Sequence, residues 1–402
     1  MLSQKAKNLK PSPTLALAAK AKDLQKKGLD VVSLAVGEPD WATFEVAEKA
    51  GIEAIQKGYT KYTATAGILE LRNAVVKNLK DVSGLSYSAN EIVISSGAKF
   101  VLFAALNMLC DANDEVIIPA PYWVSYPTMV DLAGGKNVLV TTKKENNFKL
   151  TAKELEASIT PKTKALILCS PSNPTGIIYS KTELAALAEV LKKNPHVFII
   201  SDDIYNRLIF TNQDIKVAPH ILDVAPELKA RTLVVNGASK SYSMTGWRIG
   251  WGAGPADLIQ AMVDYQSQST SNASSISQWA AVAAIESGEA ELQKSLGELK
   301  VRRDHAVKRI AEMPKLDLAN PEGAFYLWLG VDQLFGTHCN GTPVTNSKAV
   351  SEILLDQYLV STVPGVEFGF EGYIRLSYVV SMTELNKALD RLQKFASECK
   401  AL

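Results

Sequence analysis

Short apolar runs alternate with helical periods from about residue 46 of this 402-residue chain. Each run is rich in aliphatic residues and bounded by turn or polar residues, which is typical of strands buried on both faces. The clearest predicted strands are Glu91–Ser95, Glu115–Pro119, Ala165–Cys169, Val197–Ser201 and Thr232–Asn236. Helical periods run over segments such as Lys99–Cys110 and Lys181–Lys193. This alternation predicts an α/β fold with a mostly parallel sheet flanked by helices.

The pattern changes after a long charged helix that is predicted over Glu289–Arg309. Three strands and a closing amphipathic helix are then predicted, in that order, at Ala324–Leu329, Leu359–Val363, Tyr373–Tyr378 and Thr383–Lys400. We therefore predict a large domain at residues 46–288. A smaller α+β domain is expected to combine residues 1–45 with residues 289–402.

Charge restricts the kinds of partner that this chain can bind. Its 43 Lys and Arg residues nearly balance its 42 Asp and Glu residues, and the formal net charge is +1. Such a chain lacks the field that attracts nucleic acid or an acidic membrane, so we expect neither as a partner. It has no stretch of about 18 apolar residues and no apolar N-terminal region of the kind found in signal peptides. We therefore expect a cytoplasmic protein.

Metal and disulfide chemistry is not indicated by the cysteines and histidines. The four cysteines are scattered and form no Cys-x-x-Cys pair, so we expect free thiols in a reducing compartment. The four histidines lack the spacing of metal ligands, and His338 and Cys339 form an isolated adjacent pair. We predict no metal site.

The most specific motif is Gly237–Gly250, which directly follows the predicted strand Thr232–Asn236. Ligands of open α/β sheets bind at the carboxyl ends of strands, and Lys240 lies there. A lysine amine in this position can react with an aldehyde cofactor. Arg248, eight residues later, could return to the same site and hold a phosphate. Small residues such as Ser239 leave room for a ring beside the lysine.

This segment resembles the lysine signature of the class-I aminotransferases, which are pyridoxal-5′-phosphate (PLP) enzymes of fold type I. The resemblance extends from about Leu9 to about Leu392. It implies a large domain with a mostly parallel sheet, a smaller α+β domain, and PLP carried by Lys240. Within the class, the sequence looks closest to the bacterial aspartate aminotransferases of the shorter, thermophile-like subgroup.

The resemblance also implies roles for residues that follow other predicted strands. Asp202 corresponds to the acid beside the pyridine nitrogen of PLP, and Tyr205 to the tyrosine that touches its 3-hydroxyl. Asp203 is the adjacent alternative to Asp202, but the three-residue spacing to Tyr205 favours Asp202. Asn173, in the turn Ser170–Gly176, corresponds to the asparagine that donates to the 3-oxygen.

The phosphate and ring contacts are implied in the same way. Gly97 and Ala98 form a turn at a helix start, where free N–H groups bind phosphate well. Ser239 and Arg248 are further cofactor ligands, and Trp123 stacks on the pyridine ring. Tyr62 corresponds to a tyrosine that reaches the phosphate of the neighbouring subunit, so the resemblance implies a homodimer with shared active sites.

Two groups of residues are implied for the substrate. Arg375 grips the α-carboxylate, because a planar guanidinium matches a carboxylate in two parallel hydrogen bonds, and the backbone of Gly37 touches the same group. Trp123 and Asn173 also face the substrate. Lys99 and hydroxyls of the Pro11–Thr14 segment, from Ser12 and Thr14, hold the distal carboxylate of a dicarboxylic amino acid.

The implied reaction transfers the amino group of L-aspartate to 2-oxoglutarate in two half-reactions. The same Thr and Lys pair accompanies prephenate aminotransferase activity in relatives, so an aspartate-only enzyme and a dual aspartate/prephenate enzyme both stay open. A PLP-dependent lyase on the same fold is a further alternative. Phe100, where Gln is commoner, and Ala273, where Pro is usual, depart from the family pattern.

Overall fold

The computed structural model describes residues 1–3, 6–7, 9, 11–210 and 215–401. Leu402, the last residue of the predicted small domain, lies outside these ranges. The strands within them are β1 (Val32–Ser33), β2 (Ile92–Ser95), β3 (Glu115–Ala120), β4 (Lys136–Thr141), β5 (Thr163–Cys169), β6 (Phe198–Asp202), β7 (Thr232–Gly237), β8 (Gly250–Ala253), β9 (Asp317–Ala319), β10 (Tyr326–Gly330), β11 (Thr337–Cys339), β12 (Thr342–Val344), β13 (Val360–Ser361), β14 (Val363–Pro364), β15 (Tyr373–Ser377) and β16 (Cys399–Lys400).

The α-helices of the described ranges are Pro13–Lys26, Glu45–Gln56, Leu69–Ser83, Ala98–Leu109, Tyr126–Ala133, Ala152–Ser158, Lys181–Lys193, Ala238–Ser241, Ala256–Ser267, Ser275–Ser287, Glu289–Ala311, Ser347–Tyr358 and Met382–Glu398. None of these described helices combines the length and the apolar character that crossing a membrane requires.

Seven strands form the central sheet, in the order β2-β8-β7-β6-β5-β3-β4. Strands β3 to β7 run parallel to one another. Strand β8 lies antiparallel between β2 and β7. The predicted α/β fold with a mostly parallel sheet and flanking helices is therefore confirmed.

Side chains alternate across the central sheet and fill an apolar core on each face. On β3, Ile117 points into one core and Ile118 into the other, and both are fully buried. Val234 and Val235 divide in the same way on β7. Burying an aliphatic side chain of this size contributes about 1.5–3 kcal/mol. Burial on both faces thus fixes the register of the strands and the position of their ends.

Two strands of the central sheet were missed by the sequence prediction. β4 begins with Lys136 and lies half exposed at the sheet edge, so it lacks a continuous apolar run. β8 reads Gly-Trp-Gly-Ala, and glycine is depleted in strands. A side chain at Gly250 would overlap the backbone of Gly97 and Ala98. Glycine in β8 therefore allows the start of the helix Ala98–Leu109 to lie against the sheet.

The C-terminal part of the chain forms smaller sheets. A four-stranded antiparallel sheet has the order β14-β15-β10-β9 and places Trp328 opposite Arg375. β1, from the N-terminal segment, pairs in parallel with β13. The predicted strand Leu359–Val363 is divided in the structure, because β13 joins β1 whereas β14 joins β15. The boundaries of the large and small domains stay a prediction.

Strands β5, β6 and β7 end side by side. Cys169, the last residue of β5, is in register with Asp202, the last residue of β6. β7 ends at Gly237, and the short helix Ala238–Ser241 that follows carries Lys240. The carboxyl ends of neighbouring parallel strands meet at one edge of a sheet, so the polar residues that follow these strands face a common space.

Candidate active site

A cavity of about 350 Å³ lies at the carboxyl ends of these strands. Its wall includes most of the residues that the sequence singled out: Thr14, Gly37, Ala98, Lys99, Trp123, Asn173, Asp202, Tyr205, Ser239, Lys240, Arg248 and Arg375. Gly97 and Tyr62 are the predicted site residues that do not line it.

The amine of Lys240 points into this cavity. Its Nζ donates a hydrogen bond of 2.5 Å to the carbonyl oxygen of Gly37 and lies 5.7 Å from the ring centroid of Phe325. Burial is the main cause that lowers the pKa of Lys240 to about 8; the charge of Glu38 opposes this shift, and the nearby cations Arg375, Arg248 and Lys99 add to it. A neutral, nucleophilic amine is therefore available near neutral pH.

Asp202 is a buried carboxylate at the end of β6, with 4% of its surface exposed. The hydroxyl of Tyr126 donates to its Oδ2 at 2.5 Å, and the backbone N–H of Ile204 donates to its Oδ1 at 3.3 Å. Burial raises the pKa of Asp202 to about 6, although both hydrogen bonds oppose that rise. The side chain is thus an acid poised between its two protonation states near neutral pH.

Asp203 faces away from the cavity, since successive residues at a strand end point to opposite sides. Its Oδ1 accepts a hydrogen bond of 2.7 Å from the hydroxyl of Ser201, and its Oδ2 lies 3.6 Å from Nε2 of His220. Burial raises the pKa of Asp203 to about 7 and lowers the pKa of His220 to about 4. Of the two adjacent acids, Asp202 is the one that lines the cavity.

Arg375 brings a buried positive charge into the cavity from β15. Its Nη1 donates to Oδ1 of Asn173 at 3.0 Å and its Nη2 donates to the carbonyl oxygen of Ala35 at 2.6 Å. The guanidinium lies 4.4 Å from the ring centroid of Tyr326 and 5.0 Å from that of Phe368.

Within the described ranges, no carboxylate pairs with this guanidinium, and its Nε is buried without a hydrogen-bond partner. Burial lowers the pKa of Arg375, yet an arginine starts so high that it keeps its charge. A buried cation that lacks a counter-ion in its own chain is suited to bind an anionic ligand. A carboxylate satisfies this geometry best, because it accepts two parallel hydrogen bonds.

The hydroxyls of Tyr205 and Tyr326 are 2.7 Å apart and form a hydrogen bond. Tyr326 also explains the glycine at position 37, because a Cβ on Gly37 would overlap its hydroxyl. The backbone of Gly37 can therefore approach the cavity closely and accept the hydrogen bond from Lys240.

One end of the cavity has the features of an anion site. Gly97, with φ of +88°, precedes the helix Ala98–Leu109, whose first N–H groups are free of helical partners. Arg248 reaches the same turn, since its Nη2 donates to the carbonyl oxygen of Ser96 at 3.3 Å. A Cβ on Gly97 would overlap this guanidinium. A helix N-terminus and a cation together favour a bound phosphate.

Lys99 stands on the cavity wall near Trp123, with Nζ at 4.9 Å from the ring centroid. Burial lowers the pKa of Lys99, and so does the charge of Arg248. The hydroxyls of Ser12 and Thr14 line the same cavity and are 3.0 Å apart. Cation and hydroxyls thus form a second polar region that can bind an anionic group.

Tyr62 differs from the other predicted residues, because 91% of its surface is exposed. It lies on the exterior of the single chain, and exposed apolar residues such as Ile55 and Leu69 occur on either side of it in the sequence. Among the described residues, therefore, no contact brings Tyr62 to the cavity.

Comparison with known proteins identifies the family. Residues 29–392 match the family model described as aminotransferase class I and II. The chain belongs to this family. The resemblance read from the motifs is thus confirmed, and the chain is an aminotransferase.

Similar proteins of this family cover nearly the whole chain. A probable aspartate/prephenate aminotransferase of Rickettsia conorii is 46% identical over 395 residues, which make up 98% of each chain. The crystal structure of the aspartate aminotransferase from Rhizobium meliloti has a TM-score of 0.95, with 39% identity over 100% of both chains. The aspartate aminotransferase from Thermus thermophilus with maleate has a TM-score of 0.91, with 37% identity over 98% of this chain and 99% of its own.

Sequence reasoning missed several residues on the wall of this aminotransferase's cavity: Glu38, Tyr126, Cys169 and Tyr326. Tyr126 begins a helix after the Pro121–Trp123 turn, and Tyr326 lies in a strand that was predicted without a role. Their hydroxyls bind partners 76 and 121 residues away. Cys169 and Glu38 carried a local signal, since Cys169 ends the strand before the Asn173 turn and Glu38 directly follows Gly37.

Because Lys240 is buried in this aminotransferase, we predict that the chemical reactivity of its amine depends on pH. Only the neutral amine reacts with acetic anhydride, so labelling increases as the pH rises through the pKa. We expect the labelling of Lys240 to have its midpoint near pH 8. Lys49 is the internal control, because its hydrogen bond with Glu45 raises its pKa above the ordinary value of 10.5.

Peptide mass spectrometry measures both labelling curves in protein whose Lys240 starts unmodified. Curves for Lys240 and Lys49 that coincide would contradict the effect of burial.

Proposed function

We propose that this aminotransferase transfers the amino group of L-aspartate to 2-oxoglutarate, with PLP bound at Lys240. The observation that carries the proposal is the buried guanidinium of Arg375, which has no carboxylate partner in the described chain and faces the cavity that holds Lys240 and Asp202. An amine, an acid and a carboxylate-binding cation in one cavity are what amino-group transfer between acids requires.

The residues of the cavity fit PLP in their chemistry. Lys240 would hold the aldehyde carbon, and Asp202 would accept a hydrogen bond from the pyridine nitrogen. The helix start at Ala98, the hydroxyl of Ser239 and the guanidinium of Arg248 would hold the phosphate. When it is bound, PLP supplies a ring that withdraws electrons from the substrate Cα.

Asn173 and Tyr205 fit the 3-oxygen of the cofactor. Arg375 donates to Oδ1 of Asn173, so the amide nitrogen of Asn173 is left to donate to a ligand. The hydroxyl of Tyr205 is hydrogen-bonded to that of Tyr326, which holds Tyr205 in place at the cavity wall. Trp123 would cover one face of the ring.

The proposed chemistry of the chain is proton movement by Lys240. Arg375 binds the α-carboxylate of the amino acid and thereby orients its Cα toward the amine. The carbonyl of Gly37 holds Nζ of Lys240 at 2.5 Å. Because burial lowers the pKa of Lys240 to about 8, the neutral amine can remove the Cα proton and deliver it to a neighbouring carbon.

The preference for a dicarboxylate is supported by Lys99 together with Ser12 and Thr14. A cation beside two hydroxyls can bind the distal carboxylate of aspartate, while Arg375 binds the α-carboxylate. The similar enzyme from Thermus thermophilus is described with maleate, which is itself a dicarboxylate. A neutral side chain would leave the charge of Lys99 without a partner.

Prephenate is a second acceptor to consider, because it also carries two carboxylates. The similar protein of Rickettsia conorii bears the name of a probable aspartate/prephenate aminotransferase. Dual specificity is therefore tested with the same enzyme preparation, by offering prephenate as the amino acceptor in place of 2-oxoglutarate.

The proposed function is tested by adding L-aspartate alone to the purified enzyme loaded with PLP. We expect release of about one equivalent of oxaloacetate per active site, with a change in the visible absorption spectrum that 2-oxoglutarate reverses. Prephenate should reverse it as well if the enzyme is dual. Lys240→Ala is the control and should show neither change. Release of ammonia in place of oxaloacetate would identify a lyase and reject the proposal.

The role of Lys99 is tested with Lys99→Gln. We expect kcat/KM for aspartate to fall roughly 10- to 100-fold, because a hydrogen bond to a charged group contributes about 1.5–3 kcal/mol. The value for alanine should change little. Lys193→Gln removes a lysine of the helix Lys181–Lys193, outside the cavity, and is the matched control. Equal losses for aspartate and alanine in Lys99→Gln would remove this residue from side-chain recognition.

We also propose that two copies of the chain share their sites through Tyr62. Support comes from its 91% exposure in the single chain and from its resemblance to the family's phosphate-binding tyrosine. Dimers made from one Tyr62→Ala chain and one Lys240→Ala chain, isolated with two different tags, test the idea. If Tyr62 acts across the interface, one of the two sites keeps both residues.

These hybrid dimers should regain about half of the wild-type activity per dimer, since one intact site in two is expected. Each parent variant alone should be nearly inactive. Hybrids as inactive as their parents would show that Tyr62 does not serve the neighbouring site.

A further inference from the structure

The phenol of Tyr126 lies directly behind Asp202. Its hydroxyl donates to Oδ2 of Asp202 at 2.5 Å, and the two residues expose only 2% and 4% of their surfaces. Tyr126 is the first residue of the helix Tyr126–Ala133, and its backbone N–H donates to the carbonyl oxygen of Trp123 at 3.0 Å. The rings of Tyr126 and Trp123 also meet edge to face, with centroids 5.4 Å apart. Backbone and packing therefore fix the hydroxyl beside the carboxylate.

Asp202 depends on this hydroxyl for its charge. Its other donor is the backbone N–H of Ile204, at the longer distance of 3.3 Å. A buried carboxylate that has lost its contact with water prefers the protonated form unless hydrogen bonds stabilise the charge. Within the described residues, Tyr126 is the side chain that supplies such a bond to Asp202.

We infer that Tyr126 is a positioning residue, which keeps Asp202 ionised and turns its free lone pairs into the cavity. This inference rests on the proposed function, in which Asp202 lies beside the pyridine nitrogen of PLP. The carboxylate of Asp202 and the pyridine nitrogen would share one proton there. The bond from Tyr126 makes the carboxylate the weaker base of the two, so the proton stays on the nitrogen.

Removal of the bond should move the shared proton toward Asp202. Asp202 would then stabilise the positive charge of the pyridine nitrogen less well, and the cofactor would withdraw electrons less strongly from the substrate. Tyr126 thus influences the reaction through Asp202, although it forms no bond to the reacting atoms. Other ionisable groups near Asp202 are Asp203 at the same strand end, Cys169 on β5 and Lys240 in the cavity. The test variant keeps all three residues, and of these Cys169 is the one that also loses a hydrogen bond with Tyr126.

The test compares wild type and Tyr126→Phe as full-length enzymes loaded with PLP that is labelled with ¹⁵N in the ring. We expect the ¹⁵N NMR shift to report a protonated nitrogen in wild type and a largely unprotonated one in Tyr126→Phe. The dissociation constant of PLP should rise roughly 10-fold or more, which is the size expected for a hydrogen bond to a charged group. An unchanged ¹⁵N shift in Tyr126→Phe would overturn the inference.

Tyr378→Phe is the matched control. Tyr378 is also a fully buried tyrosine, and its hydroxyl donates to the carbonyl oxygen of Ala324 at 3.0 Å. Its variant loses the same atom and a buried hydrogen bond without touching Asp202. We expect a wild-type ¹⁵N shift for Tyr378→Phe, and an equal displacement in both variants would indicate a general loss of packing and overturn the inference.

A double-mutant cycle with Asp202→Asn separates positioning from structure. Asparagine carries no charge for Tyr126 to stabilise, so Tyr126→Phe should change the affinity for PLP less than about 2-fold in that background. A 10-fold loss in both backgrounds would contradict an action through Asp202. If wild type itself fails to bind PLP, the proposed function fails, whereas a failure confined to Tyr126→Phe concerns this inference alone.

Discussion

The edge at which β5, β6 and β7 end together is the constraint on which the rest of the site depends. Apolar packing on both faces of the sheet fixes the register that places Cys169 beside Asp202. A slip by one residue would turn Asp202 to the side that Asp203 occupies, away from the cavity. Packing of the hydrophobic core therefore fixes the positions of the strand ends that carry the site. The polar residues at these ends add chemical specificity.

Burial gives three of the ionisable groups that line the cavity, Asp202, Lys240 and Arg375, different properties through one physical effect. Desolvation disfavours the charged form, so it raises the pKa of Asp202 to about 6 and lowers the pKa of Lys240 to about 8. Arg375 starts from a much higher value and keeps its charge in the same surroundings. One desolvated space thus holds an acid that needs a donor, an amine that can lose its proton and a permanent cation that needs an anion.

The sequence predicted the parts of this arrangement that are local in the chain. Lys240, Asp202 and Asn173 each follow an apolar strand directly, so strand pattern and motif placed them at one edge. Tyr126 and Tyr326 act through contacts with residues 76 and 121 positions away, and no local pattern records such contacts. β8 was missed for a related reason, since its first glycine, Gly250, is explained only by the backbone of Gly97 and Ala98 that packs against it. Tyr62 shows that contacts between chains are also missed by local patterns, because a single copy of the chain does not explain its exposed position.

Charge explains why dicarboxylates suit this cavity, but it does not separate one dicarboxylate from another. Arg375 and Lys99 offer two cations, and both aspartate and prephenate bring two carboxylates to them. The difference between these two substrates is the ring of prephenate, so discrimination between them depends on the space around Lys99. A second cavity of about 560 Å³ adjoins the first at Lys99 and Arg248 and is lined by Phe100 and Phe103. Phe100 and Phe103 make that space apolar, so we expect its shape rather than its charge to decide whether prephenate fits.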